Sequence, residues 1–284
     1  MFESASAFNG NISGWTVGNV TTMQNMFGGA TSFNGDISGW TVGNVTDMRA
    51  MFGGATSFNR DISGWDVNNV TNFDGMFESA SAFNGDISGW TVGNATNMDS
   101  MFYNATSFNR DISGWNVGNV TNMRSMFESA SAFNGDISGW TVGNVTNMGR
   151  MFFNATSFNF NILNWNVSNV TTIHRMVDAT SLASLSYQKL VGLKKIFQTK
   201  DMRVSAQARA SIIQVIEPVL QLKKATRTQE AHFAGLLAQA HNPNRSTHST
   251  RDITSLIRSY LGGQNTKKKS KRIRKMHSRK KARN

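Results

Sequence analysis

The chain has no cysteine and only two prolines in 284 residues. Without thiols there can be no disulfide, no thiolate metal site and no cysteine nucleophile, a composition that fits a reducing compartment. No apolar run approaches the roughly 18–20 residues that cross a bilayer. The opening Met1-Phe2-Glu3-Ser4-Ala5 carries neither the basic nor the apolar region of a secretory signal, so no export is expected. Lysine is missing from residues 1–175, which hold 6 Arg against 12 Asp and Glu, whereas residues 176–284 hold 23 basic and 5 acidic residues. The formal net charge of +12 therefore belongs to the C-terminal third. An acidic body with a basic appendage suited to a polyanion is the first expectation.

What the chain does have is repetition. Methionine recurs every 25 residues from Met1 to Met176, and all seven tryptophans fall on one register from Trp15 to Trp165. Two phenylalanine ladders, Phe2 to Phe152 and Phe8 to Phe158, keep the same period. The copies at 76–94 and 126–144 are identical, the mark of duplication. Within the copy that begins at Asp36, Ile37, Trp40 and Val42 predict a short strand. Met48, Met51, Phe52 and Ala55, at i, i+3, i+4 and i+7, predict about two turns of helix. Eight large apolar side chains would supply about 12–24 kcal/mol if fully buried, whereas ordering 25 backbone residues costs on the order of 25–50 kcal/mol. One copy cannot stand alone; stacked copies with paired strands could. The fold class predicted is an α/β solenoid of seven leucine-rich-repeat-like coils over residues 1–175. A small all-α cap over 176–263 and a disordered basic tail over 264–284 are expected to follow.

The string FNxDISxWxVxNVTxMxxMF, complete at 133–152 and with Ala95 replacing one valine at 83–102, resembles the 25-residue repeat of BspA-like leucine-rich-repeat surface proteins. Similar arrays fill mycoplasma surface lipoproteins and occur in protists, algae and large DNA viruses. The resemblance covers residues 1–175 and implies a leucine-rich-repeat-like solenoid, since Ile37-x-x-Trp40-x-Val42-x-x-Val45 parallels the strand signature of those repeats. It also implies binding or adhesion rather than catalysis. Two departures, the missing signal or lipidation cysteine and the basic tail, move the expected location from the cell surface to a virion or the cell interior, including the nucleus.

The seventh copy changes character. Phe153, Phe160 and Leu163 stand where earlier copies have mostly small or polar residues. They are predicted to dock the helical region, because the last coil of a stack exposes its core. That region has apolar periodicity through Leu182–Phe197, Val204–Val219 (with Pro218 perturbing the second helix), 228–240 and 250–261. The tail that follows carries eleven cations: Lys267, Lys268, Lys269, Lys271, Arg272, Arg274, Lys275, Arg279, Lys280, Lys281 and Arg283. A run of this density predicts contact with nucleic acid or an acidic partner.

Catalytic chemistry has no foothold. The five histidines (His174, His232, His241, His248 and His277) lack ligand spacing, and no nucleophile motif or phosphate loop is present. No enzyme, cofactor or metal is expected. The row Asp36, Asp61, Asp86, Asp111 and Asp136 is predicted to cap its own turns, with a calcium row as the alternative. The Asn9 and Asn19 ladders are predicted to satisfy turn backbone groups. The function expected is a non-enzymatic structural or interaction protein, a scaffold anchored by its tail, as in a virion component. A cell-surface adhesin and a nucleic-acid-binding protein acting through the tail are the alternatives. Protein partners in an assembly are expected, with an end-to-end contact at the uncapped first coil.

Overall fold

The repeats form neither strands nor helices. A computed structural model describes residues 1–198 and 203–240. Every regular element among them is helical and lies after the repeats: α1 (Ala179–Leu182), α2 (Tyr187–Gln198) and α3 (Ala206–Ala240). Two compact units divide the chain, Met1–Lys223 and Lys224–Asn284. The first holds the repeats, α1, α2 and the beginning of α3. The expected α/β solenoid with one strand and one helix per coil is therefore corrected.

The backbone hydrogen bonds explain what forms instead. From Met48 onward, donors alternate between two destinations. Met48, Ala50, Phe52 and Gly54 donate to the carbonyls of Asn72, Asp74, Met76 and Glu78 in the next copy, at 2.6–3.0 Å. Met51, Gly53 and Ala55 donate three residues back within their own copy, at 3.0–3.1 Å. A helix would need every donor to reach four residues back. Ala50 (φ 49°) and Gly54 (φ 71°) are left-handed, which ends any helix before it starts. Parallel pairing reduces to single bridges such as Asp47 with Asn72 and Asn72 with Asn97. Ile37-Ser38-Gly39-Trp40, the expected strand, is a tight turn closed by the Trp40 amide on the Ile37 carbonyl at 3.1 Å.

The apolar pattern still does what burial requires. Phe52 is fully buried and stacks on Phe27 and Phe77 in neighbouring copies at 5.6 and 5.7 Å, and on Phe58 of its own copy at 3.9 Å. Trp90 is 3% exposed, and its indole N–H donates to the Ile62 carbonyl at 3.1 Å. Identical copies place each ring on its counterpart, so one sequence solution is reused along the stack. Side-chain ladders bind the outside: the Asn84 and Asn109 amides donate to Asn59 and Asn84 Oδ1, and the Asn94 side chain donates to the Asn68 carbonyl.

The helices begin where the repeat loses register. Asp178 accepts from the Ser181 amide as the N-cap of α1 and also from the Asn154 amide, at 2.9 and 3.1 Å. In the preceding copies the equivalent amides, those of Asn104 and Ser129, donate to backbone carbonyls. A carboxylate thus terminates the ladder and opens a helix. Ser186 and Ser205 cap α2 and α3 through the Lys189 and Ala208 amides. Lys189 then places its ammonium on the Asn159 carbonyl at 2.9 Å, at the end of the asparagine ladder.

Two helix expectations are revised. The Leu182–Phe197 stretch is broken between α1 and α2, and the two helices expected over 204–219 and 228–240 are one helix, α3, with Pro218 inside it. Proline costs about 3 kcal/mol in a helix interior. Ile212, Ile216 and Leu220, one turn apart and all buried, offset it at roughly 1.5–3 kcal/mol each. The predicted 250–261 helix lies outside the described residues.

Candidate interaction groove

A repeat makes structural positions legible by keeping them and leaves other positions free to differ. The largest differences fall at three neighbouring places in each copy. The residue after each core Met23-type position runs Gln24, Arg49, Asp74, Asp99, Arg124, Gly149 and His174. The next residue, among them Ser100, Ser125 and Arg150, is held at φ between 49° and 60° throughout. Three residues further stand Glu78, Tyr103, Glu128 and Phe153. The bridge residues keep this edge in register. The Asn72, Asn97 and Asn122 side chains accept from the amides of Asp74, Asp99 and Arg124, each at 3.1 Å.

In the middle of the edge these side chains surround a recess of about 480 Å³ lined by Asp74, Glu78, Asp99, Tyr103, Glu128, Arg124 and Arg150, together with Ser100 and Ser125. Glu128 is 3% exposed and is clamped by Arg150, whose Nε donates to Oε2 at 2.7 Å while the terminal nitrogen meets Oε1. Asp99 accepts from Ser100 Oγ at 2.8 Å and Asn122 Nδ2 at 3.3 Å, with Arg124 at 3.6 Å. Asp74 and Glu78 have no ion pair among the described residues. Desolvation, then the neighbouring Asp99, pushes the Asp74 carboxyl above the usual range. Desolvation, then Asp74 and Asp99, does the same to Glu78. Four carboxylates face two guanidiniums, and the excess charge is concentrated at Asp74 and Glu78.

The edge continues into the last copy. Phe153 lies between two guanidiniums, Arg150 at 4.7 Å and Arg175 at 4.6 Å from its ring centre. It borders a second cavity of about 350 Å³, closed by Val177 and by Ile212, Val215 and Pro218 of α3. Phe160, another residue predicted to dock helices, is fully buried against Phe152 and Phe158, at 5.4 and 5.0 Å. Leu163 meets Gly192 of α2 and stays 41% exposed. The eleven cations between Lys267 and Arg283 lie outside the described residues.

The aspartate row occupies a different face. Asp36, Asp61, Asp86, Asp111 and Asp136 each accept from the amide of the serine two residues on, at 2.9–3.0 Å. These backbone bonds, then the serine hydroxyls, hold each carboxyl below its usual range. No group of three or more potential ligands for a metal ion occurs among the described residues. Nor is any described helix long and apolar enough to cross a membrane.

The residues that repeat do not reveal the groove. Its signal lies in the places where the copies disagree: Asp74 against Arg124, Gly53 against Glu78, Tyr103 against Phe153.

The family model described as "Mycoplasma protein of unknown function, DUF285" matches residues 1–111 and 85–190. Comparison with curated proteins and with solved structures finds no match. The resemblance to BspA-like leucine-rich-repeat proteins is corrected accordingly: no such repeat is matched, and the residues that suggested its strand form turns.

Proposed function

Because the chain belongs to the DUF285 family, whose description assigns no activity, we propose from its own groove that it is a non-enzymatic interaction protein. It presents one variable edge of a repeated stack to a partner protein. The observation that carries this reading is that the three places of the repeat with the widest range of side chains line the recess, while the apolar interior and the asparagine ladders largely repeat. A stack needs its core and its turn caps for folding. Nothing in that requirement explains Tyr103, Glu128 and Arg150 where other copies carry glycine or serine. The excess of carboxylate over guanidinium favours a cationic segment, and electrostatic complementarity supplies register and association rate. The aromatic ring and the guanidiniums are residue types that dominate binding energy at protein interfaces.

The test is position-specific crosslinking. Random twelve-residue peptides are selected on the immobilised full chain and then offered to variants carrying a benzophenone amino acid. With the photoreactive residue at Tyr103, the selected peptides should crosslink. With the same residue at Ser113, on the aspartate face, they should not. Equal yields at both positions would remove the groove as the binding face.

A further inference from the structure

We infer that the edge reads two side chains of an extended partner segment: a cationic one in the recess and a bulky apolar one in the cavity beside Phe153. This rests on the interaction reading above and makes it specific. The recess and the cavity are lined by the same three places of the repeat, so they open along one edge. Asp74, Asp99 and Tyr103 mark the first, and His174, Arg175 and Phe153 mark the second.

Their chemistries differ in a way that fits two unlike anchors. The recess has two carboxylates, Asp74 and Glu78, without an ion pair among the described residues. The cavity's inner wall is aliphatic, formed by Val177, Ile212 and Val215. At about 350 Å³ it is at the small end of ligand sites. Asp178, the one carboxylate in its wall, is already committed to the Ser181 and Asn154 amides at 2.9 and 3.1 Å, so it does not call for a cation there. Arg175 covers one face of Phe153 and has no ion pair among the described residues, which leaves its N–H edges for a partner's backbone carbonyls. Apolar anchors in pockets supply most of an interface's energy, and charges outside them set register.

The spacing follows from the stack. Glu78 in the recess and Phe153 beside the cavity are three copies apart, and successive rings repeat at 5.7 Å. The two anchors are then about 17 Å apart, a distance spanned by about five residues of an extended chain at ~3.3 Å each. The occupant is therefore a peptide in which Lys or Arg and a residue such as Phe, Leu or Met are separated by about four others.

The experiment uses the selected twelve-residue peptides, synthesised with a fluorophore, and the full chain. Val215→Phe fills the cavity from α3, and Asp74→Asn removes charge from the recess. Each variant is first shown by thermal melting to keep the parent's transition. The selected sequences should share a cation and a bulky apolar residue at that spacing. Val215→Phe should weaken binding at least about 30-fold, with little change in salt dependence. Asp74→Asn should weaken it about tenfold and flatten the salt dependence. Changing the peptide's spacer by two residues should cost as much as removing one anchor. Peptides that lose affinity with Asp74→Asn but not with Val215→Phe would overturn the two-anchor inference and leave the groove reading intact. A selection that yields no peptide above background would overturn both.

Discussion

The stack of repeats and the helices that follow it answer the same question, where each backbone N–H finds an acceptor, in opposite ways. In α3 the acceptors lie within the helix itself, so the element can be extended or ended one residue at a time. In the stack, every second donor around the core methionines and phenylalanines reaches into the next copy, as Ala50, Phe52 and Gly54 do. A copy is therefore incomplete without its neighbour, both in apolar contact and in hydrogen bonding. Interdependence of this kind is what lets a stack of repeats without strands or helices stay ordered. It also explains why the interior tolerates so little variation while exposed places, the recess edge above all, differ from copy to copy.

Substitution in the core should separate the two regions most sharply. Trp90→Ala removes a buried ring and the indole's hydrogen bond to the Ile62 carbonyl, which keeps only the Trp65 amide, for an expected loss of about 3–5 kcal/mol. Because neighbours share that surface, denaturant unfolding should split into two phases. Ile216→Ala in α3 should cost about 2–4 kcal/mol without splitting the stack's transition. If Trp90→Ala costs under about 1 kcal/mol, the contrast between shared and self-contained elements is wrong.

Next in size is Arg150→Ala. It leaves Glu128 buried without its guanidinium partner, at a cost of about 3 kcal/mol measured by chemical denaturation. Glu128→Gln with Arg150→Met should recover most of that loss. A single Arg150 variant as stable as the parent would show that the clamp is not formed.

The junction should be weaker. Asp178→Ala removes the cap of α1 and the acceptor of the Asn154 amide together, for about 1–2 kcal/mol. Asp178→Asn should retain more than half of the stability difference. Amide exchange at Asn154 and Ser181 should accelerate in the alanine variant alone.

The smallest effect is a pH profile of two signs. Asp74 and Glu78 are raised in the folded state, so folding binds their protons more readily than unfolding does. Stability should rise as pH falls through their folded pKa values toward the ordinary carboxylate range. The aspartate row is lowered, so its contribution is full above about pH 4 and is lost as pH falls through the folded pKa values. Melting temperature should therefore pass through a shallow acid-side maximum. Asp74→Asn with Glu78→Gln should abolish the rise, and a monotonic profile in the parent chain would contradict the assignment.

Much of the stack was legible in the sequence. Period, buried ladders and turn caps follow from residue type and spacing, as Phe52, Trp90 and the Asp36–Ser38 bond show. Secondary structure was not, because Met48, Met51, Phe52 and Ala55 have the spacing of a helical stripe. What prevents a helix is the left-handed backbone at Ala50 and Gly54; the Gly53-Gly54 pair marks a turn, but nothing in the residue type announces Ala50. At Ala50 that conformation opposes intrinsic preference by about 1–2 kcal/mol. It persists because Ala50 and its neighbours reach acceptors in the next copy, a relation between copies that no local window contains. The groove was available in principle, as the complement of the repeat. Phe160 and Leu163 were singled out together, yet one is fully buried and the other 41% exposed, because sequence position does not distinguish the inner side of the last copy from its rim.

The central claim is that the variable edge binds and the repeated faces hold the stack together. It is tested most directly by a charge-matched pair of triple variants in one binding assay. Asp74→Asn, Glu78→Gln and Asp99→Asn remove three carboxylates from the edge; Asp61→Asn, Asp86→Asn and Asp111→Asn remove three from the capping row. Fluorescence anisotropy with the selected cationic peptides should show the edge triple weakened at least about 30-fold and the row triple within about threefold of the parent, although the row triple melts lower at neutral pH. Equal weakening by both triples would mean that only net charge attracts the peptide, and the account of a binding edge would fail.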